Sequence, residues 1–231
     1  MRPLCLLLIL VVILNARARA ATSGETAEPP AWLSELNAPV TWHILGLGLM
    51  GSLAMMGNED STELGKSIKE SSLDGISDFG NLFGSGWGVG GLAVASWSFG
   101  AVVGEPAAQE LGSDLIGAFL LSSAAVWAVK APVNRGRPNG GEHSFPSGHT
   151  AAAFSTVPPV WRHAGWKAGL GMGALATATG LGRIQANKHH LSDVIAGAAL
   201  GLVRGRIAVA ACHCGWWVEP SPRGLSAGVS F

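Results

Sequence analysis

The sequence predicts an all-α fold, a bundle of about six helices. Three observations predict it. Charge-free apolar stretches recur at 36–58, 79–104, 115–129, 150–161 and 168–182, followed by a shorter one at 194–203. None of them shows the two-residue alternation of a half-buried strand before the C-terminus is reached. Several are dominated by small residues, as in Gly-Ala-Leu-Ala-Thr-Ala-Thr-Gly at 173–180, and small side chains let helix backbones approach closely.

Taken in order, Met1-Arg2-Pro3 precedes an apolar run from Leu4 to Leu14, and Ala18-Arg19-Ala20 forms a small-residue cleavage site. Residues 1–20 therefore read as a signal peptide, the run being shorter than the roughly 20 residues that span a bilayer. Arg17 and Arg19 lie close to the cleavage site, which leaves an uncleaved anchor as the alternative. Residues 21–38 carry Ser, Thr, Glu and Pro and read as a polar tether, and 39–211 as the helical domain. Within that domain Asn58–Asp78 is expected as a polar, partly helical connection. The last segment, 212–231, changes character and reads as a short β-like tail, with Trp216-Trp217-Val218, Pro220, Pro222 and Gly224. Cys212 and Cys214 flank His213. Cysteines so close seldom form an unstrained disulfide, and two cysteines with one histidine make an incomplete metal site.

The stretches 36–58 and 79–104 are long enough to cross a membrane, whereas others are too short and Arg204 and Arg206 interrupt the last. Nine Trp and no Tyr suit an interfacial belt and also an ordinary core. With a mean hydropathy of +0.34, the chain leans to membrane association. Its 15 basic and 15 acidic residues balance, and removal of Arg2, Arg17 and Arg19 with the signal peptide leaves an acidic excess. A nucleic-acid partner is excluded by the lack of a basic face. Gly86-Trp-Gly88-Val-Gly-Gly91 matches the spacing of a dinucleotide loop, but no strand precedes it, so a loop or close packing is the expectation.

The chemistry concentrates between Lys130 and Asp193. Lys130 closes an apolar helix that Pro132 is expected to stop, and Arg135 and Arg137 follow in a Gly/Pro loop. A lysine offers a mobile charge and an arginine a planar fork for phosphate oxygens. A basic loop beside a membrane helix would look the same. Pro146-Ser147-Gly148-His149 starts the next apolar run with a cap, a close-approach glycine and free N–H groups suited to an anion. His149 can give a proton to a leaving oxygen, although an ordinary cap followed by a surface histidine fits the block equally. His189 and Asp193 are four apart and share a helix face, so the carboxylate can orient one ring nitrogen and leave the other basic. His190 and Asp193, three apart, can pair instead, and Arg183 reaches the site only if the chain turns after it. A metal centre on His149, His189, His190 and Asp193 is disfavoured. Neighbouring helical residues point about 100° apart, and the surrounding cations repel a metal ion.

Taken together, the blocks resemble the type-2 phosphatidic acid phosphatase superfamily, which includes class A acid phosphatases and vanadium haloperoxidases. The pattern K-x6-R-P is met at Lys130, Arg137 and Pro138, P-S-G-H at Pro146 to His149, and R-x5-H-x3-D at Arg183, His189 and Asp193. Gly182 stands where the third motif usually has Ser. The resemblance implies an acid phosphatase/haloperoxidase-like bundle across about 40–205. It makes His189 the nucleophile, Asp193 its activator and His149 the acid for the leaving group. Lys130, Arg137, Ser147, Gly148 and Arg183 would bind phosphate, while Arg135 and His190 stay unassigned. The expected activity is metal-independent hydrolysis of phosphomonoesters or diphosphates of lipids or small molecules, at the membrane or in the periplasm, with the site on the outer side. No cofactor is expected, and vanadate would act as an inhibitor. The alternatives are a soluble nonspecific acid phosphatase and a vanadium-dependent haloperoxidase, in which vanadate would be the cofactor.

Overall fold

A computed structural model of the protein describes residues 31–56, 61–70, 74–211, 215–221 and 224–230. The expected signal peptide, residues 21–30 and the Cys212–Cys214 cluster lie outside the described residues. Nine helices are described: α1 (Ala31–Asn37), α2 (Pro39–Met56), α3 (Ser61–Glu70), α4 (Asp74–Phe83), α5 (Gly86–Val103), α6 (Pro106–Val133), α7 (Gly148–Ser155), α8 (Val157–Gln185) and α9 (Leu191–Ala211). Strands β1 (Gly215–Ser221) and β2 (Gly224–Ser230) follow and pair antiparallel, Gly215 opposite Ser230 and Ser221 opposite Gly224. The tail is therefore a hairpin, and the rest of the described chain is helical.

The three helices beyond the expected six arise in polar sequence. α1 occupies the end of the 21–38 stretch read as a tether, and α3 and α4 occupy the polar connection. The apolar stretch 79–104 is broken at Gly84-Ser85, where Ser85 caps α5 by accepting the Gly88 N–H at 3.1 Å. Gly86–Gly91 is thus helical, and the loop reading of its glycines is corrected. Pro132 does not stop α6. It removes one intrahelical donor, and the helix runs on to Val133 before Asn134 turns left-handed and donates its N–H to the Lys130 carbonyl at 3.1 Å. The polar interval between the stretches 150–161 and 168–182 survives as a kink inside α8 at Gly165. Its φ of 83° is open to glycine and strained for other residues.

Small residues set the helix spacing. On α9, Gly197, Gly201 and Gly205 recur every four residues along the face against α7. A methyl group there would lie 2.6 Å from the Ser147 carbonyl oxygen, 2.3 Å from that of Ala151 and 2.4 Å from that of Ser155. Gly48 brings α2 equally close to Ala199 of α9, and Ser52 donates its hydroxyl to the Ser192 carbonyl at 3.1 Å. Gly80 of α4 packs on the α8 backbone, where Thr179 donates to the Gly80 carbonyl at 2.7 Å. Leu115, Val160 and Ala93 form an apolar centre joining α6, α8 and α5.

Four of the described helices, α2, α5, α6 and α9, are long and apolar enough to cross a membrane. The outward faces of α2, α5 and α6 carry Trp42, Leu47, Met50, Trp87, Val102 and Trp127, with Trp87 at 90% exposure. At one end of the bundle the C-terminal ends of α4, α6 and α8 meet the N-terminal ends of α5 and α7 and the segment leading into α9 around a single cavity.

Candidate active site

The cavity at that end has a volume of about 300 Å³. Lys130, Arg137, Arg183, His149 and His189 line it, with Gly148 beside them. Phe119, Ser123, Val126 and Trp127 of α6, Ala152 of α7 and the glycines Gly84 and Gly86 complete the lining, Val126 and Lys130 both lying next to Gly148. Six of the residues singled out in the sequence thus line one space. Ser147 and Asp193 do not line it; both are buried directly behind it.

Each cation is fixed by its own element. Lys130 reaches the space from the last turn of α6, and its ammonium donates to the His143 carbonyl at 2.5 Å and the Ser144 carbonyl at 3.4 Å. Arg137 sits in a loop closed by its own N–H on the Gly141 carbonyl at 2.7 Å, and its Nε donates to the Glu142 carbonyl at 2.9 Å. Arg183 ends α8 and donates from Nη1 to Asn81 Oδ1 of α4 at 3.3 Å, while Asn81 donates back to the Gly182 carbonyl at 3.3 Å. The buried Arg183 Nε has no hydrogen-bond partner among the described residues. The turn needed to bring Arg183 to His189 is present. Asn187 is left-handed and donates to the Ile184 carbonyl at 2.9 Å, and Lys188 donates to the Arg183 carbonyl at 3.0 Å.

Ser147 caps α7, exchanging a hydroxyl contact of 2.8 Å with Thr150, and its N–H donates to the Asp193 carbonyl at 2.9 Å. That bond joins the second and third sequence blocks through the backbone. His149 follows at the start of α7, where the helix dipole and free N–H groups favour an anion.

The register of the histidines is explicit. His189 Nδ1 faces Asp193 Oδ2 at 3.8 Å, longer than a hydrogen bond, and its ring borders the cavity. His190 meets the same carboxylate through its backbone N–H at 2.8 Å, while its ring Nδ1 is buried without a hydrogen-bond partner among the described residues. The Asp193 carboxylate also accepts the Ser144 hydroxyl and, at 2.8 Å, Nη1 of Arg135. Ser144 and Arg135 hold the carboxylate without being part of any expected role. So does Asn81 for Arg183. The one signal available was that Arg135 and Ser144 fall inside the first two blocks.

Burial pushes His149 down to about 4, and the positive charges of Arg183, Arg137 and Lys130 push the same way, as does His189 whenever it is protonated. Burial also lowers His189, with Lys130 and Arg183 adding to it and Asp193 opposing them. Both rings are therefore neutral at pH 7, and a dianion entering among the cations would raise their basicity. Among the described residues no group of three or more His, Cys, Asp or Glu is placed to share a metal ion. What the arrangement can do is bind a tetrahedral anion against fixed cations, with one imidazole backed by a carboxylate and a second lining the same space.

The chain is similar in sequence and in fold to known proteins. Residues 125–214 match the family model of the PAP2 superfamily. Over 114 residues the chain is 36% identical to a lipid A 1-phosphatase of Porphyromonas gingivalis, a match covering 47% of this chain. The chain spans about a quarter of the length of that curated relative, 24%. A crystal structure of LpxE from Aquifex aeolicus superposes with a TM-score of 0.50 at 25% identity, over 64% of this chain and 93% of that one.

Proposed function

We propose that this chain, whose residues 125–214 match the family model of the PAP2 superfamily, is a metal-independent phosphatase of lipid phosphates working through a phosphohistidine on His189. The observation that carries the reading is one cavity lined by both cations and apolar side chains. Lys130, Arg137 and Arg183 line it together with His189. Phe119, Val126 and Trp127 line the same space, and Trp127 is also exposed on the outside of α6, as a lipid leaving group requires. The lipid A 1-phosphatase relative makes the 1-phosphate of lipid A the first substrate to test.

In the proposed reaction Nε2 of His189 attacks phosphorus while Asp193, behind Nδ1, stabilises the ring as it becomes charged. The bond between phosphorus and the leaving oxygen breaks, and His149 gives its proton to that oxygen. Water then attacks the phosphohistidine with His149 as base, the electron pair returns to His189 and inorganic phosphate is released. Lys130, Arg137, Arg183 and the N–H groups at the start of α7 stabilise the equatorial oxygens, the role a metal ion fills elsewhere. We place α2, α5, α6 and α9 across the membrane of the cell envelope, with the cavity end at the outer surface. Vanadate, which resembles the five-coordinate phosphorus, should inhibit.

The test is hydrolysis by the full chain in detergent micelles with excess chelator, offered lipid A, phosphatidate, prenyl diphosphate and a soluble phosphate ester. Release of phosphate from a lipid substrate, undiminished by chelator, is the expected result. Activity that needs added metal, or hydrolysis of the soluble ester alone, contradicts the proposal.

A further inference from the structure

Arg135 does not line the cavity and has no role in the chemistry described so far, yet it is bonded directly to the carboxylate behind the nucleophile. Its Nη1 donates to Asp193 Oδ1 at 2.8 Å and to the Ser192 hydroxyl at 2.6 Å. Its carbonyl accepts the Ser144 N–H at 2.7 Å, and the Ser144 hydroxyl donates to the second oxygen of the same carboxylate. Arg135, Ser144 and Asp193 thus close a ring of hydrogen bonds that fixes both carboxylate oxygens. The Asp193 side chain is fully buried and that of Arg135 is 17% exposed, so the pair is shielded from solvent.

A carboxylate with no partner except a histidine would be free to swing toward either His189 or His190, both of which are within its reach in sequence. The ring removes that freedom. Oδ1 is committed to Arg135, and Oδ2, steadied by Ser144 and the His190 N–H, is the oxygen left facing His189 Nδ1. Arg135 also offsets the charge of Asp193. An unopposed buried carboxylate would hold a proton on the neighbouring imidazole and spoil it as a nucleophile at neutral pH.

We propose that Arg135 is a positioning residue of the reaction, which orients the Asp193 carboxylate toward His189 and tempers its charge so that the imidazole stays unprotonated. The inference rests on the reading of His189 as the nucleophile. The other groups facing that ring are Lys130 from α6, His149 from α7, Arg183 from α8 and the Ser144 hydroxyl from the loop, at 3.5 Å from Nδ1. None of them changes when Arg135 alone is replaced.

Two variants of the full chain, Arg135→Gln and Arg135→Lys, separate charge from fork geometry. The first readout is the titration of the His189 ring by NMR in histidine-labelled protein without substrate. Removing a positive charge favours the imidazolium, so Arg135→Gln should move the midpoint upward by about one pH unit. Arg135→Lys, which keeps the charge, should leave it within about 0.3 units. The second readout is turnover. Arg135→Gln should lower kcat by about 10–100-fold with KM within about threefold, because Arg135 does not border the cavity, and Arg135→Lys should recover only part of the loss. An unmoved midpoint in folded Arg135→Gln, or wild-type kcat in either variant, would overturn the inference. If Arg135→Gln fails to fold, the kcat of Arg135→Lys decides alone. The titration needs no turnover, so an inactive wild-type chain would sink the proposed function and leave the midpoint comparison as the judge of Arg135.

Discussion

At the scale of single residues, the two histidines of the cavity are distinguished by what stands behind them. His189 has a carboxylate at Nδ1, whereas His149 has only cations around it, and burial with those cations holds it down to about 4. A general acid must be protonated, so activity should fall as pH rises through the His149 value. A bound phosphate dianion counters Arg183, Arg137 and Lys130 and raises that value. The alkaline limb of kcat, which reports the complex, should therefore lie at higher pH than that of kcat/KM, which reports the free protein. In His149→Ala this offset should vanish, and esters with poor alkoxide leaving groups should slow about 10²–10⁴-fold while p-nitrophenyl phosphate slows far less. Coincident limbs in the wild type, or equal losses on both esters, would remove the general-acid role. Short, local spacings offered Lys130 and Arg137, Ser147 and His149, and His189 and Asp193 as candidates, while only the family resemblance distinguished the roles of His149, His189 and His190. The roles of Arg135 and Ser144 were not legible, since their contacts with Asp193 cross 58 and 49 positions and no local period records such a pairing.

At the scale of elements, α7 and α9 hold the site together through contacts that leave no room for a side chain. Gly197, Gly201 and Gly205 let α9 lie on the carbonyl groups of α7, and the same approach allows the Ser147 N–H to reach the Asp193 carbonyl. Gly201 lies two turns from Asp193 and touches nothing in the cavity. In Gly201→Val the added carbon would start 2.3 Å from the Ala151 oxygen, forcing the helices apart at a cost of about 1–3 kcal/mol. Activity should fall with stability, measured as a lower thermal midpoint together with a reduced kcat. A variant as stable and as active as the wild type would show that the close approach is dispensable. The abundance of small residues announced this packing. The helices α1, α3 and α4 were less legible because they are short and charged. Their helicity depends on docking, as where Gly80 and Asn81 of α4 meet Thr179 and Gly182 of α8.

At the scale of the whole molecule, the bundle combines a cationic pocket at one end with apolar outer faces along α2, α5 and α6. Under the proposed function, a lipid phosphate would meet both requirements at once, its head among the cations and its chains beside Phe119 and Trp127. The sequence foretold the all-helical class and the hairpin tail. It underestimated the number of helices and stopped α6 at a proline that the helix tolerates one residue before its end. The central claim is that phosphate passes through a covalent bond to His189. It is tested most directly by mixing the protein with a ³²P-labelled lipid phosphate, quenching within one turnover and locating the label. A phosphoramidate, stable in alkali, labile in acid and confined to the peptide carrying His189, is the expected result, with no label in His189→Ala. Turnover without any trapped label, or a label on another residue, would contradict it.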